Sequence, residues 1–135
     1  LKTVELEADD CPPMQARIPA TYLEETRLRI DLYRKLAMAE TPQRIRELEE
    51  DIVDRFGPYP PELDALLKLT LIRCLAEEKR IISVESQGNR LKCRVGNGKQ
   101  SDLIKFGSRF PRLRSNNALK RLDEVIVFLR NYITR

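Results

Sequence analysis

A chain of 135 residues, 41% of them apolar, is long enough to bury a core, and without a Gly- or Ser-rich linker it reads as a single domain over 1–135. It has no histidine, which excludes His-based hydrolytic triads and His metal sites, and Cys11, Cys74 and Cys93 lack C-x-x-C spacing, so neither a disulfide framework nor a zinc site is expected. The net charge of +4 divides into −6 over residues 1–78 and +10 over 79–135, a split that marks either a partner- or nucleic-acid-binding surface or two halves that attract one another within the fold.

No apolar run approaches the roughly 18 residues of a membrane span, and no signal peptide is evident. The first residue is Leu rather than Met, so the chain reads as a piece of a longer one, at home in a reducing cytoplasm.

Val4 and Leu6 alternate with polar neighbours, which predicts an edge strand over 3–7 that Asp9-Asp10-Cys11-Pro12-Pro13 interrupts. Ala16-Arg17-Ile18-Pro19 resumes as an extended segment, because the residue before a proline is pushed out of the α region, and this arm is expected to return to a sheet formed later. Thr21-Tyr22-Leu23-Glu24 has the form of a capping box, predicting a helix to about Glu40. Its main stripe is Leu23, Ile30, Tyr33, Leu36 and Ala37, with Leu28 and Leu32 widening it.

The next helix is bounded at both ends. Thr41 is a candidate N-cap with Pro42 at N1, and Gly57 can take a left-handed conformation before Pro58, Pro60 and Pro61 forbid continuation. Ile45, Leu48, Ile52, Val53 and Phe56 make one apolar stripe, while Glu47, Glu49, Glu50, Asp51 and Asp54 ride the other sides. A third helix starts near Pro61, and its apolar arc, Leu63, Leu66, Leu67, Thr70, Leu71, Cys74 and Leu75, is too wide for a simple surface helix. Glu77-Glu78-Lys79-Arg80 offers no Gly or Asn, so a left-handed stop there costs roughly 1 kcal/mol and another form of turn is expected.

Ile81-Ile82-Ser83-Val84-Glu85 and 91–95 read as strands joined at Gly88-Asn89 by a type II′ or I′ hairpin. Leu91, Cys93 and Val95 point one way, Lys92 and Arg94 the other. A helical turn is expected over 101–106 and a short strand over 110–114, with Arg112 and Arg114 on one side. Asn116 or Asn117 then caps a last helix carrying Leu119, Leu122, Val125, Ile126, Leu129 and Ile133. The expected fold class is α+β: three N-terminal helices, a small antiparallel sheet and a C-terminal helix covering it. Leu48, Ile52, Phe56, Leu67 and Ile126 are expected in the core.

No G-x-x-x-x-G-K-[ST] loop is present, and Gly96-x-Gly98 lacks the third glycine of a dinucleotide loop. The carboxylates are interleaved with Arg44, Arg46 and Arg55 as on a solvated surface, so no catalytic residue, cofactor or metal ligand is assigned. Two surfaces remain. Asp51 and Asp54, with Glu47, Glu50 and Arg55 around them, form either a solvated face or one that receives a partner's arginines. The set Lys92, Arg94, Lys99, Lys105, Arg109, Arg112, Arg114, Lys120 and Arg121 can neutralise phosphates, Lys92, Arg94, Arg112 and Arg114 foremost. Only Phe106 and Phe110 interleave with it, so a nucleic-acid role rests on charge, against a solvated face or a protein contact.

Three motifs in order carry a resemblance: Ile18-Pro19-x-x-Tyr22-Leu23, then Arg29-Ile30-Asp31-Leu32-Tyr33-Arg34-Lys35-Leu36-Ala37-x-Ala39-x-Thr41, then Asp51-Ile52-Val53-Asp54-Arg55-Phe56-Gly57. Together they resemble the C-terminal domain of the bacterial transcription-repair coupling factor (Mfd) family, from Val4 to about Val95 and weakly beyond Gly96. The chain departs from that pattern at the insert-like stretch 8–15 and at Lys79-Arg80, where the family tends to have Leu-Gly.

The resemblance implies a parent that is an ATP-driven DNA translocase, displacing stalled RNA polymerase and recruiting UvrA. Its ATP and Mg sites and its contacts to polymerase and duplex DNA would lie upstream. This domain would be a non-catalytic regulatory clamp on the UvrB-homologous module of the same chain, masking the surface UvrA needs. Acidic residues just before R-F-G, here Asp51 and Asp54, would make that contact. The alternative is a nucleic-acid-binding accessory domain acting through the basic half.

Overall fold

The computed structural model describes residues 3–5, 15–97, 100–106 and 108–132. In chain order the elements are β1 (Thr3–Glu5), α1 (Thr26–Met38), α2 (Pro42–Phe56), α3 (Pro61–Glu78), β2 (Ile81–Gln87), β3 (Arg90–Asn97), β4 (Gln100–Leu103) and α4 (Ala118–Asn131). They divide into a helical unit, Met14–Cys74, and a sheet unit made of Leu1–Pro13 with Leu75–Arg135. The division falls inside α3.

In the helical unit α2 forms as its ends dictate. The Thr41 hydroxyl accepts from the Arg44 N–H at 3.2 Å, Pro42 opens the helix, and Gly57 at φ 83° closes it. Ile45, Leu48 and Ile52 are buried, joining Leu32 and Leu36 of α1 and Leu63, Leu67 and Cys74 of α3 in one core. Phe56 is only half-buried, edge-on to Tyr22 at 6.4 Å, and Val53 is exposed, so the buried stripe is narrower than the apolar pattern.

The first helix starts four residues later than the capping-box reading, with Glu25 rather than Thr21 at the N-cap. Pro19 instead anchors a turn, its carbonyl accepting from the Tyr22 and Leu23 N–H groups at 3.1 Å, and Arg29 donates to the Leu23 and Glu24 carbonyls at 2.7 Å. The stripe also has a different phase: Leu32 and Leu36 are buried, while Ile30 is 52% and Tyr33 40% exposed. Tyr33 turns its hydroxyl to accept from the Ile18 N–H at 2.8 Å, which fixes residues 16–19 within the helical unit, outside the sheet. At the other end of α1, Arg73 donates to the Leu36, Ala37 and Ala39 carbonyls, a cation on the unsatisfied C-terminal acceptors of a helix.

In the sheet unit the strand order is β1-β2-β3-β4. β2, β3 and β4 are antiparallel neighbours, and β1 joins the outer edge of β2 in parallel, Val4 opposite Val84. Gly88, at φ 60°, is the turn residue with positive φ, which makes the β2–β3 hairpin type II′. A bulge between Ile81 and Ser83 lets Ile81 and Val84, three apart, both be buried. Leu91 and Cys93 are buried with them; burial pushes the Cys93 thiol up to about 12.

Three expectations fail in this unit. The chain reaches β2 through Arg80 at φ 58°, the left-handed conformation that was expected to be avoided and that a glycine adopts freely. Residues 100–103 pair with β3 as β4, where a helical turn was expected over 101–106. Residues 110–114 form no regular strand; they meet the start of β3 in one bridge, Arg90 opposite Arg112. Asn117 is the cap of α4, accepting from the Lys120 N–H at 3.1 Å, and Leu122, Val125, Ile126 and Leu129 make its buried face. Glu124 accepts from the Arg114 and Ser115 N–H groups, which ties the preceding loop to α4. Ile133 lies outside the described residues.

Candidate functional site

On the helical unit the candidate surface is the solvent side of α2. Asp51 sits over the seam between α1 and α2, paired with Arg55 at 3.5 Å and close to the Asp31–Lys35 pair, which is 3.0 Å apart. Arg55 also lies 4.9 Å above the Phe56 ring. Asp54 faces a different, shallow groove with Arg46, Glu49, Glu50 and Val53. The two aspartates thus share an exposed helix surface but open onto separate concavities.

Their electrostatic states differ too. Glu47 is paired with Arg44 at 3.4 Å, and Glu49 accepts from the Tyr59 hydroxyl at 2.6 Å. Burial, and then the bond to Glu49, pushes the Tyr59 phenol well above its ordinary value. Glu50 and Asp54 are exposed and have no hydrogen-bond or ion-pair partner among the described residues. Five carboxylates on one helix therefore include two, Glu50 and Asp54, with spare acceptor capacity.

On the sheet unit, β3 puts Arg90, Lys92 and Arg94 on the side opposite Leu91 and Cys93. Lys92 and Lys105 both lie over the Phe110 ring, at 5.3 and 4.9 Å. Arg94 and Arg112 are exposed, and so is Arg114, whose backbone N–H is held by Glu124. Lys99 lies outside the described residues. Arg121 leaves the basic set altogether. It is 1% exposed, and it donates to the Asn89 side chain and Ser115 carbonyl at 3.1 Å and to the Gly88 carbonyl at 2.8 Å, bracing the β2–β3 turn. The spacing was the available signal, because Arg121 and Val125 are one helical turn apart on the buried face.

Among the described residues no group of three His, Cys, Asp or Glu side chains is placed to hold a metal ion, and no helix is long and apolar enough to cross a membrane. What both surfaces offer is exposed charge on rigid elements.

The TRCF domain family model matches residues 13–106. The chain belongs to the TRCF domain family. It is similar to the transcription-repair-coupling factor of Myxococcus xanthus, 32% identical over 93 residues, which is 69% of this chain and 8% of that relative. The factor from Bacillus subtilis is 26% identical over 94 residues, 70% of this chain and 8% of the relative, and that from Rickettsia prowazekii 26% over 120 residues, 87% and 10%. The chain thus spans about a tenth or less of these relatives. A crystal structure of the C-terminal domain of transcription-repair coupling factor shares the fold, with a TM-score of 0.61 at 18% identity over 95% of this chain and 94% of that one.

Proposed function

We propose that this TRCF domain is a regulatory, autoinhibitory interaction domain: it packs on the UvrB-homologous module of its own coupling factor and masks the surface that UvrA needs. It is non-catalytic and takes no cofactor. ATP and Mg, RNA polymerase and duplex DNA are handled by upstream modules of the parent protein.

The observation that carries this reading is the solvent side of α2, where Asp54 and Glu50 have spare acceptors on a helix whose opposite side is locked into a core. A carboxylate on a rigid platform is a suitable receptor for a bidentate arginine. Arg55 holds Asp51 in an exposed pair worth about 0.3–0.5 kcal/mol, which a partner's arginine can displace at little cost. Buried on docking, such contacts cost about 2–5 kcal/mol to truncate, whereas at the rim they are worth under about 1 kcal/mol.

The test is a titration of this chain with the UvrB-homologous module of a transcription-repair coupling factor, with UvrA as competitor. Asp51→Ala combined with Asp54→Ala is expected to weaken capture and favour UvrA, and charge reversal to Arg to act more strongly. Unchanged capture by the double variant would place the contact on another face.

A further inference from the structure

A second surface, independent of the α2 reading, lies wholly within the sheet unit. Arg90 and Arg112 stand opposite one another in an antiparallel bridge flanked by two 2.7 Å bonds, Leu91 N–H to the Pro111 carbonyl and Leu113 N–H to the Asn89 carbonyl. The bonds fall on the neighbours, so Arg90 and Arg112 form the non-hydrogen-bonded kind of pair, in which Cα atoms approach to about 4.5 Å and the side chains stand closest. Like charges at such a position destabilise a sheet. A carboxylate at either place would have relieved the repulsion; none is there.

The same two side chains line a cavity with Ser108, Arg109 and Phe110. The turn that carries Ser108 is closed by backbone bonds in both directions between Phe106 and Arg109, which fixes Arg109 beside the bridge. Arg90, Arg109 and Arg112 have no ion-pair or side-chain hydrogen-bond partner among the described residues. The carboxylate nearest in register is Glu85, opposite Lys92 on β3, and it is not within ion-pair distance of these arginines. Lys92 and Lys105, held on the Phe110 ring, add two cations at the margin. Three guanidinium groups, a hydroxyl and an aromatic edge around one concavity make a receptor for oxyanions, and the cations continuing along β3 make it one for a chain of them.

We propose that the Arg90–Arg109–Arg112 cavity is a phosphate-binding site that engages the phosphodiester backbone of a nucleic acid. The bridge holds its arginines together at an electrostatic cost that bound phosphate offsets. Contacts to the backbone carry no base information, so binding is insensitive to sequence and weakens with salt.

The experiment titrates the 135-residue chain with a labelled 20-nucleotide single strand, the matching duplex and an acidic peptide, poly-glutamate, at several salt concentrations. Three phosphate contacts predict a slope of log affinity against log salt of about −2 for a single strand and about −3 for duplex, so the arms distinguish the two sources. Arg90→Gln with Arg112→Gln is expected to lower nucleic-acid affinity at least about tenfold and to reduce the slope by about two-thirds, roughly 1.4 for the single strand and 1.8 for duplex. Its melting temperature should match or exceed that of the parent, since the repulsion across the bridge is gone. Lys120→Gln with Arg130→Gln, both exposed on α4, is the charge-matched control and should lower affinity less than about threefold. Equal losses in the two variants would reduce the site to diffuse charge and overturn the proposal. So would poly-glutamate binding tighter than either nucleic acid with the same dependence on Arg90 and Arg112, which would assign the cavity to a protein partner.

Discussion

The two units dispose of charge in opposite ways. In the helical unit, basic side chains find carboxylates one turn away: Asp31 with Lys35, Arg44 with Glu47, Asp51 with Arg55, Asp64 with Lys68. In the sheet unit, cations stack on cations, with Arg90 opposite Arg112 and two lysines over one ring. The geometry of each element explains the contrast. A helix makes neighbours of residues three and four apart, so a mixed sequence neutralises itself locally, whereas a strand makes neighbours of residues two apart and across the ladder. The charges left over on α2 are negative, at Glu50 and Asp54, and those around the Arg90–Arg112 bridge are positive, at Arg90, Arg109 and Arg112.

Removing the platform beneath α2 should have the largest effect on the helical unit. Ile52→Ala should destabilise by about 2–5 kcal/mol in urea unfolding, because Ile52 is 2% exposed inside the helical core and the cavity cannot fully close. Arg121→Ala should cost about 3 kcal/mol by the same measurement, leaving the Gly88 and Ser115 carbonyls without their donor. If it instead behaves like an exposed lysine, the brace on the hairpin is wrong.

Alkaline pH should stress the sheet unit through Cys93. Its thiol is raised in the fold from 9.0 to about 12, so the protonated form is favoured by burial. The associated stability is complete below about pH 9 and is lost as pH rises towards 12. Mass-mapped alkylation at pH 8 should leave Cys93 unmodified until the chain unfolds.

Arg80→Gly should stabilise by about 1 kcal/mol, read as a higher urea midpoint, because glycine adopts φ 58° without the clash an arginine Cβ meets. The smallest effects sharpen the surface assignment. Asp54→Ala and Val53→Ala, both exposed on α2, should move the midpoint by less than about 0.5 kcal/mol in either direction.

How far the sequence revealed this depends on whether a signal is local. The second helix was legible to the residue, since Thr41, Pro42 and Gly57 act on their own neighbours. The phase of α1 was not: Ile30 and Tyr33 are apolar in pattern, yet Leu32 and Leu36 meet the core and Tyr33 spends its hydroxyl on Ile18. Gln100-Ser101-Asp102-Leu103 has the look of a capped helical turn, and only pairing with β3, invisible in the local pattern, makes it a strand. For the surfaces, the acidic residues of α2 were all nameable in advance, but their split between two grooves was not. Arg90 was hidden because it reads as the end of a turn, although it stands two positions before Lys92 on the same side of β3.

The parallel seating of β1 also bears on how the protein can be handled and made. Thr3–Glu5 lies against β2 from 80 positions away, with the whole helical unit spelled out in between. During synthesis the first strand leaves the ribosome long before its partner exists, yet closing so long a loop adds only a logarithmic entropy penalty. Until it arrives, β2 is an open edge bearing Ile81, Ile82 and Val84, the sort of strand that templates another chain. A version shortened past Glu5 should therefore keep its helical unit and become prone to self-association, which light scattering during refolding would register.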